Sequence, residues 1–409
     1  MAALGVGVPV GVVGAGAMGA GIAQVAAAHG HPVVLADADA AAVARARRGH
    51  ERAMAREVEK GRLTQADAGA ALARVVYVEG ASADALSSFA DCAVVIEAIV
   101  ERLDAKQALF RALEDVVAPG AVLASNTSSL SIAAIGGACR HAGRVVGIHF
   151  FNPAPVMPLV EIIPALSTAP EVAQAARALV DGWGKVTVVA ADTPGFIVNR
   201  VARSFYGESL RLLEEGVADV ATIDWALRTI GGFRMGPFEL MDFIGLDVNF
   251  AVSCSVYEGT FHDPRYRPTI TQQRLVEAGW LGRKAGRGFY DHRDGAERPA
   301  PCEDAVLGQA IVDRVLSMLV NEAVEAVHLR LASPADLELA MTKGVNYPRG
   351  LLAWGDAIGP AEVLRRLDAL LAETGDPRYR ASVLLRRIVA AGVGIQPPES
   401  QGVAVVEKW

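Results

Sequence analysis

Six residues near the start of the chain constrain its fold more than any others. Gly14-Ala15-Gly16-Ala17-Met18-Gly19 is a G-x-G-x-x-G run that follows an apolar strand-like segment, 8–13, and opens a helix-like one, 19–29. Glycines at this spacing let the backbone turn tightly, approach a pyrophosphate, and pack a helix closely on a strand. The helix start adds unpaired N–H groups and partial positive charge. Gly14, Gly16, Ala17, Met18 and Gly19 are therefore candidate dinucleotide contacts. Asp37 ends the next strand, 18 residues after Gly19. A carboxylate there accepts hydrogen bonds from ribose hydroxyls and repels a 2′-phosphate, so the expected cofactor is NAD rather than NADP. The competing reading is a solvated acid in a turn, since Asp39 lies close by.

Strand-like runs continue at 32–36, 94–98, 122–124, 144–150 and 186–190, alternating with helical stretches. That alternation predicts a mostly parallel sheet covered on both faces. Asp192-Thr193-Pro194-Gly195 then punctuates the chain. Beyond it strand-like runs vanish, 196–215 and 310–329 read as long helices, and 291–301 reads as a polar linker. The two helical parts match at an offset of 114: Met235–Gly245 falls on Arg349–Gly359, Arg200 on Arg314, and Glu208 on Glu322. Duplication explains this; chance similarity of amphipathic helices is the alternative. The expected domains are 1–192, 193–297 and 298–409. Asn199 falls on Asp313, which predicts a structural second copy.

The chain has 409 residues and a net charge of −7, which argues against a general nucleic-acid binder or a protein held to anionic lipid by charge. Cys92, Cys139, Cys254 and Cys302 are scattered and no HxxxH pair occurs, so no metal site is expected and the thiols suit a reducing compartment. No stretch reaches the roughly 20 apolar residues of a membrane helix, and the apolar start lacks the basic residues of a signal peptide. Cytoplasm is the expected location, with no membrane or nucleic-acid partner. One basic run stands out: Arg45, Arg47, Arg48, Arg52, Arg56, Lys60 and Arg62, interleaved with Glu51, Glu57 and Glu59. It reads either as a solvated helix laced with ion pairs or as a grip on a polyanion such as the phosphates of coenzyme A.

Several longer segments resemble the L-3-hydroxyacyl-CoA dehydrogenase family: 14–28 (GAGAMGAGIAQVAAA), 97–106 (EAIVERLDAK), 124–130 (ASNTSSL), 147–162 (GIHFFNPAPVMPLVEI), 192–200 (DTPGFIVNR), 236–246 (GPFELMDFIGL) and 282–290 (GRKAGRGFY). The resemblance spans residues 8–290. It implies a Rossmann-type α/β NAD-binding domain followed by all-α C-terminal domains, here duplicated. It also implies NAD-dependent oxidation of an L-3-hydroxyacyl-CoA. By the same resemblance His149 matches the catalytic base and Glu161 its carboxylate partner. Ser128 and Asn199 match the polar groups around the reacting oxygen. Glu101, Lys106, Asn152 and Lys284 match positions near cofactor or substrate, with Ser128 among them. Lys60 matches a CoA-contacting lysine on a helical hairpin, which draws Arg52 and Arg56 into the same expectation. The family's nearby CoA-contacting serine is replaced by Ala53.

The region 233–252 and the tandem helical part are similar to bacterial enzymes of phenylacetate breakdown. That makes 3-hydroxyadipyl-CoA a candidate substrate, with Arg203 and Arg234 as cations for its far carboxylate; 3-hydroxybutyryl-CoA competes. In single-copy members the helical domain forms the dimer, so a tandem copy would cover that surface while a homodimer stays open. Two alternatives stand beside this reading: a dehydrogenase of a free hydroxy acid, like the gulonate dehydrogenases, and a non-catalytic NAD-binding structural protein. The set His149, Glu161, Ser128 and Asn199 favours an enzyme over the structural protein. Oxidising a secondary alcohol needs a base for the hydroxyl proton, and an imidazole, ordinarily titrating at about 6.5, suits that task.

Overall fold

The computed structural model describes residues 4–80 and 82–396. They fall into two compact units that divide between Asp192 and Thr193. The last part of the expected 298–409 domain, residues 397–409, lies outside the described residues.

The first unit is built on one eight-stranded sheet in the order β3-β2-β1-β4-β5-β6-β7-β8. The strands are β1 (Val10–Val13), β2 (Val33–Asp37), β3 (Val75–Glu79), β4 (Val94–Glu97), β5 (Val122–Ser125), β6 (Val145–Phe150), β7 (Leu159–Pro164) and β8 (Val186–Val189). Every pair is parallel except β6–β7. Strands β1, β4, β5 and β6 are buried along their whole length, which is why they read as continuous apolar runs. Two strands were not anticipated. β3 is a partly exposed edge strand, and β7 lay inside a motif read for its chemistry rather than its period.

Chain order reverses between β1 and β4, so a crevice opens outside their carboxyl ends, the usual ligand position in open α/β sheets. Three helices follow the first strands: α1 (Ala17–Ala28), α2 (Ala40–Glu59) and α3 (Gln65–Ala73). α2 and α3 form a helical hairpin with its own small core of Met54, Ala68 and Ala71. Asp39 starts α2 by accepting the Ala41 N–H at 2.9 Å, and Thr64 starts α3 by accepting that of Asp67 at 3.1 Å.

The second unit is helical. The single helix expected over 196–215 is broken at Ala202 into Val198–Val201 and Arg203–Glu214. The later one runs Ala305–His328, starting earlier than expected because Asp304 accepts the N–H groups of Val306 and Leu307 at 2.8 and 3.1 Å. The repeat is visible in backbone detail. Wide π turns occur at Ala226–Ile230 and Ala340–Gly344, and left-handed glycines at Gly245 (φ 106°) and Gly359 (φ 95°).

Between the copies, buried carboxylates change places. Glu208 of the first accepts Arg314 Nε at 2.5 Å and the Tyr379 hydroxyl at 2.6 Å, and pairs with Arg378 at 3.5 Å. Glu322 of the second accepts Arg200 Nε at 3.3 Å and the Tyr266 hydroxyl, and pairs with Arg265 at 3.5 Å. Each carboxylate is thus held by residues of the opposite copy, the pattern of a two-fold interface within one chain. Both carboxylates tolerate burial because each faces two guanidinium groups and a phenol.

Candidate active site

The glycine turn separates into residues the protein needs for itself and one it leaves open. A Cβ on Gly14, whose φ is 106°, would strike the carbonyl of Ala98, and one on Gly19 would strike that of Gly14. Gly16 meets nothing within 4 Å, so its missing side chain clears space rather than permitting packing. That space belongs to a cleft of about 330 Å³ lined by Ala15, Gly16, Ala17, Gln24, His50 and Pro155. Asp37, at the end of β2, accepts the Ala15 N–H at 2.6 Å and the Asp39 N–H at 2.8 Å, so its carboxylate is pinned beside the turn. Gly14 to Gly19 and Asp37 therefore form one cradle at the start of α1, with the chemistry to hold a dinucleotide.

At the carboxyl ends of β4 and β5 lies a second assembly. Glu97, fully buried, accepts Lys106 Nζ at 2.5 Å, Ser125 Oγ at 2.6 Å and the Ile99 N–H at 2.7 Å. The same ammonium lies 3.1 Å from Glu101. Glu101 in turn gathers the following loop, accepting Thr127 Oγ1 at 2.5 Å, the Ser128 N–H at 3.0 Å and Ser129 Oγ at 3.0 Å. Burial pushes the Glu101 carboxyl up, but the Lys106 ammonium and the Thr127 and Ser128 donors outweigh it and hold it below the ordinary range. Ser128 Oγ itself stands 3.5 Å from Glu101, a long contact that leaves the hydroxyl weakly held. Sequence reasoning singled out Lys106, Glu101 and Ser128 and missed Glu97. The signal was present: an acid inside a Val/Ile strand must find a partner.

The third group sits on β6 and β7. His149 lies within β6, and antiparallel register sets it directly opposite Glu161. His149 Nδ1 is 2.7 Å from Glu161 Oε2, with both side chains buried. A carboxylate only accepts, so Nδ1 carries the proton and Nε2 is the nitrogen able to take another. The Phe151 ring stands 4.6 Å from the imidazole and limits its rotation. Asn152 follows β6 and is exposed. The adjoining Asn126 Oδ1 accepts the Phe150 N–H at 2.8 Å, tying the Ser128 loop to the His149 strand.

Arg52, Arg56 and Lys60 are exposed on α2 and its C-cap; Lys60 has only a loose pair with Glu57 at 3.5 Å. In the second unit, Asn199 lies on the helix Val198–Val201, and its carbonyl accepts Arg203 Nε at 2.8 Å. Lys284 is paired with Asp247 at 2.5 Å on a turn held by Asp242, whose carboxylate accepts the Phe289 and Tyr290 N–H groups at 2.9 Å. Of the two arginines expected to read a carboxylate, Arg234 is exposed and Arg203 buried. Among the described residues no cluster of His, Cys, Asp or Glu could hold a metal ion, and no single helix is long and apolar enough to cross a membrane.

Comparison with known proteins agrees in both units. The 3-hydroxyacyl-CoA dehydrogenase NAD binding domain matches residues 9–193, and the C-terminal domain of that family matches twice, at 195–292 and 311–400. A 3-hydroxyadipyl-CoA dehydrogenase of Escherichia coli (strain K12) is 38% identical over 83% of this chain and 88% of its own. A 3-hydroxybutyryl-CoA dehydrogenase of Bradyrhizobium diazoefficiens is 42% identical over 61% of this chain and 82% of its own. The crystal structure of a 3-hydroxybutyryl-CoA dehydrogenase from Escherichia coli K12 superposes with a TM-score of 0.88 at 37% identity, covering 95% of this chain and all of that one, 100%.

Proposed function

The chain belongs to the 3-hydroxyacyl-CoA dehydrogenase family and takes NAD as its cofactor, and we propose that it interconverts an L-3-hydroxyacyl-CoA and the 3-oxoacyl-CoA, with 3-hydroxyadipyl-CoA and 3-hydroxybutyryl-CoA as the acyl groups to try first. The observation that carries this reading is the buried His149–Glu161 pair at 2.7 Å on a sheet whose glycine cradle fits a dinucleotide. Gly14, Gly16, Ala17, Met18, Gly19 and Asp37 would hold the cofactor, which supplies the hydride acceptor when bound. The rest belongs to the chain's own side chains. His149 Nε2 takes the hydroxyl proton. Glu161 fixes the tautomer and favours the imidazolium that results. Ser128 and Asn199 donate to the oxygen as negative charge collects on it, an interaction worth a few kcal/mol in such sites. Glu97, Lys106 and Glu101 keep the Ser128 loop in place, with Asn152 and Lys284 as further contacts. In the reverse direction the imidazolium returns the proton.

Arg52, Arg56 and Lys60 serve the phosphates of coenzyme A, a role their exposure supports and a free hydroxy acid would not require. The second unit is then a tandem, 193–297 and 298–409, in which the first copy alone serves the chemistry. The acidic balance disfavours nucleic-acid and anionic-membrane partners, and the scattered thiols suit a cytoplasmic enzyme; a homodimer of the whole chain is tested by light scattering.

The deciding assay follows NADH and NADPH consumption with acetoacetyl-CoA, 3-oxoadipyl-CoA and the free acids. CoA esters with NADH should be strongly preferred. His149→Gln should lower turnover by about 10²–10⁴-fold with the circular dichroism unchanged, as expected for loss of a general base. Turnover retained in that variant removes His149 from its role.

A further inference from the structure

Four buried polar residues of the first helical copy, one of them charged, are replaced in the second by one serine and three apolar residues. Arg203, Asn249, Ser253 and Gln272 are all at most 7% exposed. They form one cluster: Arg203 Nη1 donates to the Asn249 carbonyl at 3.3 Å and to Ser253 Oγ at 3.2 Å, and Gln272 Nε2 donates to Asn249 Oδ1 at 2.7 Å. The corresponding positions on the matching helices of the second copy are Ser317, Val363, Leu367 and Leu385, each fully buried. Ser317 even repeats one bond. Its hydroxyl donates to the Asp313 carbonyl at 2.6 Å, as Arg203 does to Asn199 at 2.8 Å. The second copy shows that these helices pack with a neutral, mostly apolar filling, so the fold does not require a guanidinium there.

The guanidinium is also electrically alone. Among the described residues Arg203 belongs to none of the ion pairs, and its neighbours are carbonyls, a hydroxyl and the Tyr206 ring at 4.8 Å. A buried charge without a counter-charge is costly and rare. The nearby Arg265 and Arg267 bring no spare carboxylate, because Asp263 and Glu322 are taken by Arg265 and Asp376 by Arg267. Beside Arg203 lies a small cavity of about 10 Å³, room for one water-sized group, bordered by Tyr206, Ser253, Thr269 and Gln272.

We propose that the Arg203 cluster is a receptor for one small monovalent anionic group, a carboxylate or a halide, one helical turn from Asn199. Two sources share that chemistry: the far carboxylate of a dicarboxylic acyl-CoA, which rests on the function proposed above, and a free anion, which does not.

One set of proteins decides: the full chain, Arg203→Gln, which removes the charge, and the graft Arg203→Ser, Asn249→Val, Ser253→Leu, Gln272→Leu, which installs the second copy's filling. Thermal melting is followed in bromide or acetate against gluconate at constant ionic strength. Turnover is compared between 3-oxoadipyl-CoA and 3-oxohexanoyl-CoA, which differ in the terminal carboxylate. If the substrate supplies the anion, the ratio of kcat/KM for the charged over the uncharged ester is roughly tenfold or more in the unaltered chain and falls to about one in both variants. If a free anion fills the site, that ratio is near one throughout, while bromide or acetate raises the melting temperature of the unaltered chain and not of the variants. The proposal is overturned if neither response appears, or if either variant responds as the unaltered chain does. Should the graft fail to fold, Arg203→Gln still decides. Failure to turn over any 3-oxoacyl-CoA would sink the enzyme reading and leave the melting experiment to judge the site.

Discussion

Asp224 in the first helical copy and Glu338 in the second stand 114 residues apart and do the same work. Asp224 accepts the N–H groups of Phe238 and Glu239 at 3.0 and 2.9 Å; Glu338 accepts those of Leu352 and Ala353 at 2.8 and 3.3 Å. Asp242 and Asp356 agree as closely, each holding two consecutive backbone N–H groups of the segment that ends its copy. Against this shared frame, the residues that differ stand out. Asn199 becomes Asp313, which pairs with Arg366 at 3.1 Å instead of offering an amide, and Lys284 has no recognisable counterpart. What the copies keep in common is what the fold needs; what only the first retains includes the residues that the proposed function uses.

The comparison can be broken by force. Deleting residues 300–409 removes Arg314, Arg378 and Tyr379 from around Glu208 and uncovers the face packed on the helix Ala305–His328. The expected outcome is aggregation or new self-association, read by light scattering; a well-behaved monomer would refute the shared-core account. A gentler break removes one carboxylate at a time. Glu208→Ala leaves Arg314 with Glu215 and Arg378 with Glu215 and Asp376, while Glu322→Ala leaves Arg265 with Asp263 but takes from Arg200 its paired carboxylate; each should cost up to about 3–5 kcal/mol in urea unfolding, the second variant more than the first.

Swapping the divergent residues sharpens the contrast. Asn199→Asp should lower kcat/KM by roughly 10²-fold, about the value of one oxyanion donor, whereas Asp313→Asn should leave turnover within about twofold. Equal effects would mean that the second copy serves the reaction too. The smallest effect concerns the shared caps. Burial outweighs the Tyr290, Phe238 and Glu239 donors and raises the Asp224 carboxyl to about 7, while Glu338 is raised as well. The folded chain then binds a proton that the unfolded chain releases near 4, so the contribution of this group to stability is full below that pH and is lost as pH rises towards 7. Asp224→Asn should flatten that dependence by on the order of 1–3 kcal/mol between pH 5 and pH 7.5, measured as the shift in urea midpoint.

The parts of the fold legible beforehand were those whose pattern has one physical cause. The glycine turn and the buried parallel strands left periodic or compositional marks. So did the match of Arg200 and Glu208 with Arg314 and Glu322, although spacing alone could not show that each would pair across the copies. β7 escaped because Leu159–Pro164 is a six-residue apolar run with an acid inside it, compatible with several structures until β6 lies beside it. The break at Ala202 escaped because apolar periodicity continues across it. Among site residues, Asp37 could be reasoned from spacing, while His149 and Glu161, 12 residues apart, were paired by family resemblance alone until strand register supplied the physical reason. Glu97 escaped because it reaches its partners from inside the sheet.

The reciprocal exchange of Glu208 and Glu322 has a consequence for how such a molecule can change. When two identical subunits meet across an axis, every substitution occurs twice and their joint survives only above some concentration. Here a covalent tether keeps the halves together at any dilution, because the effective concentration is set by the linker and not by the solution. Each substitution also falls once. One half can drift away from the reaction while remaining a scaffold for the other, and its altered residues record which positions the reaction no longer guards.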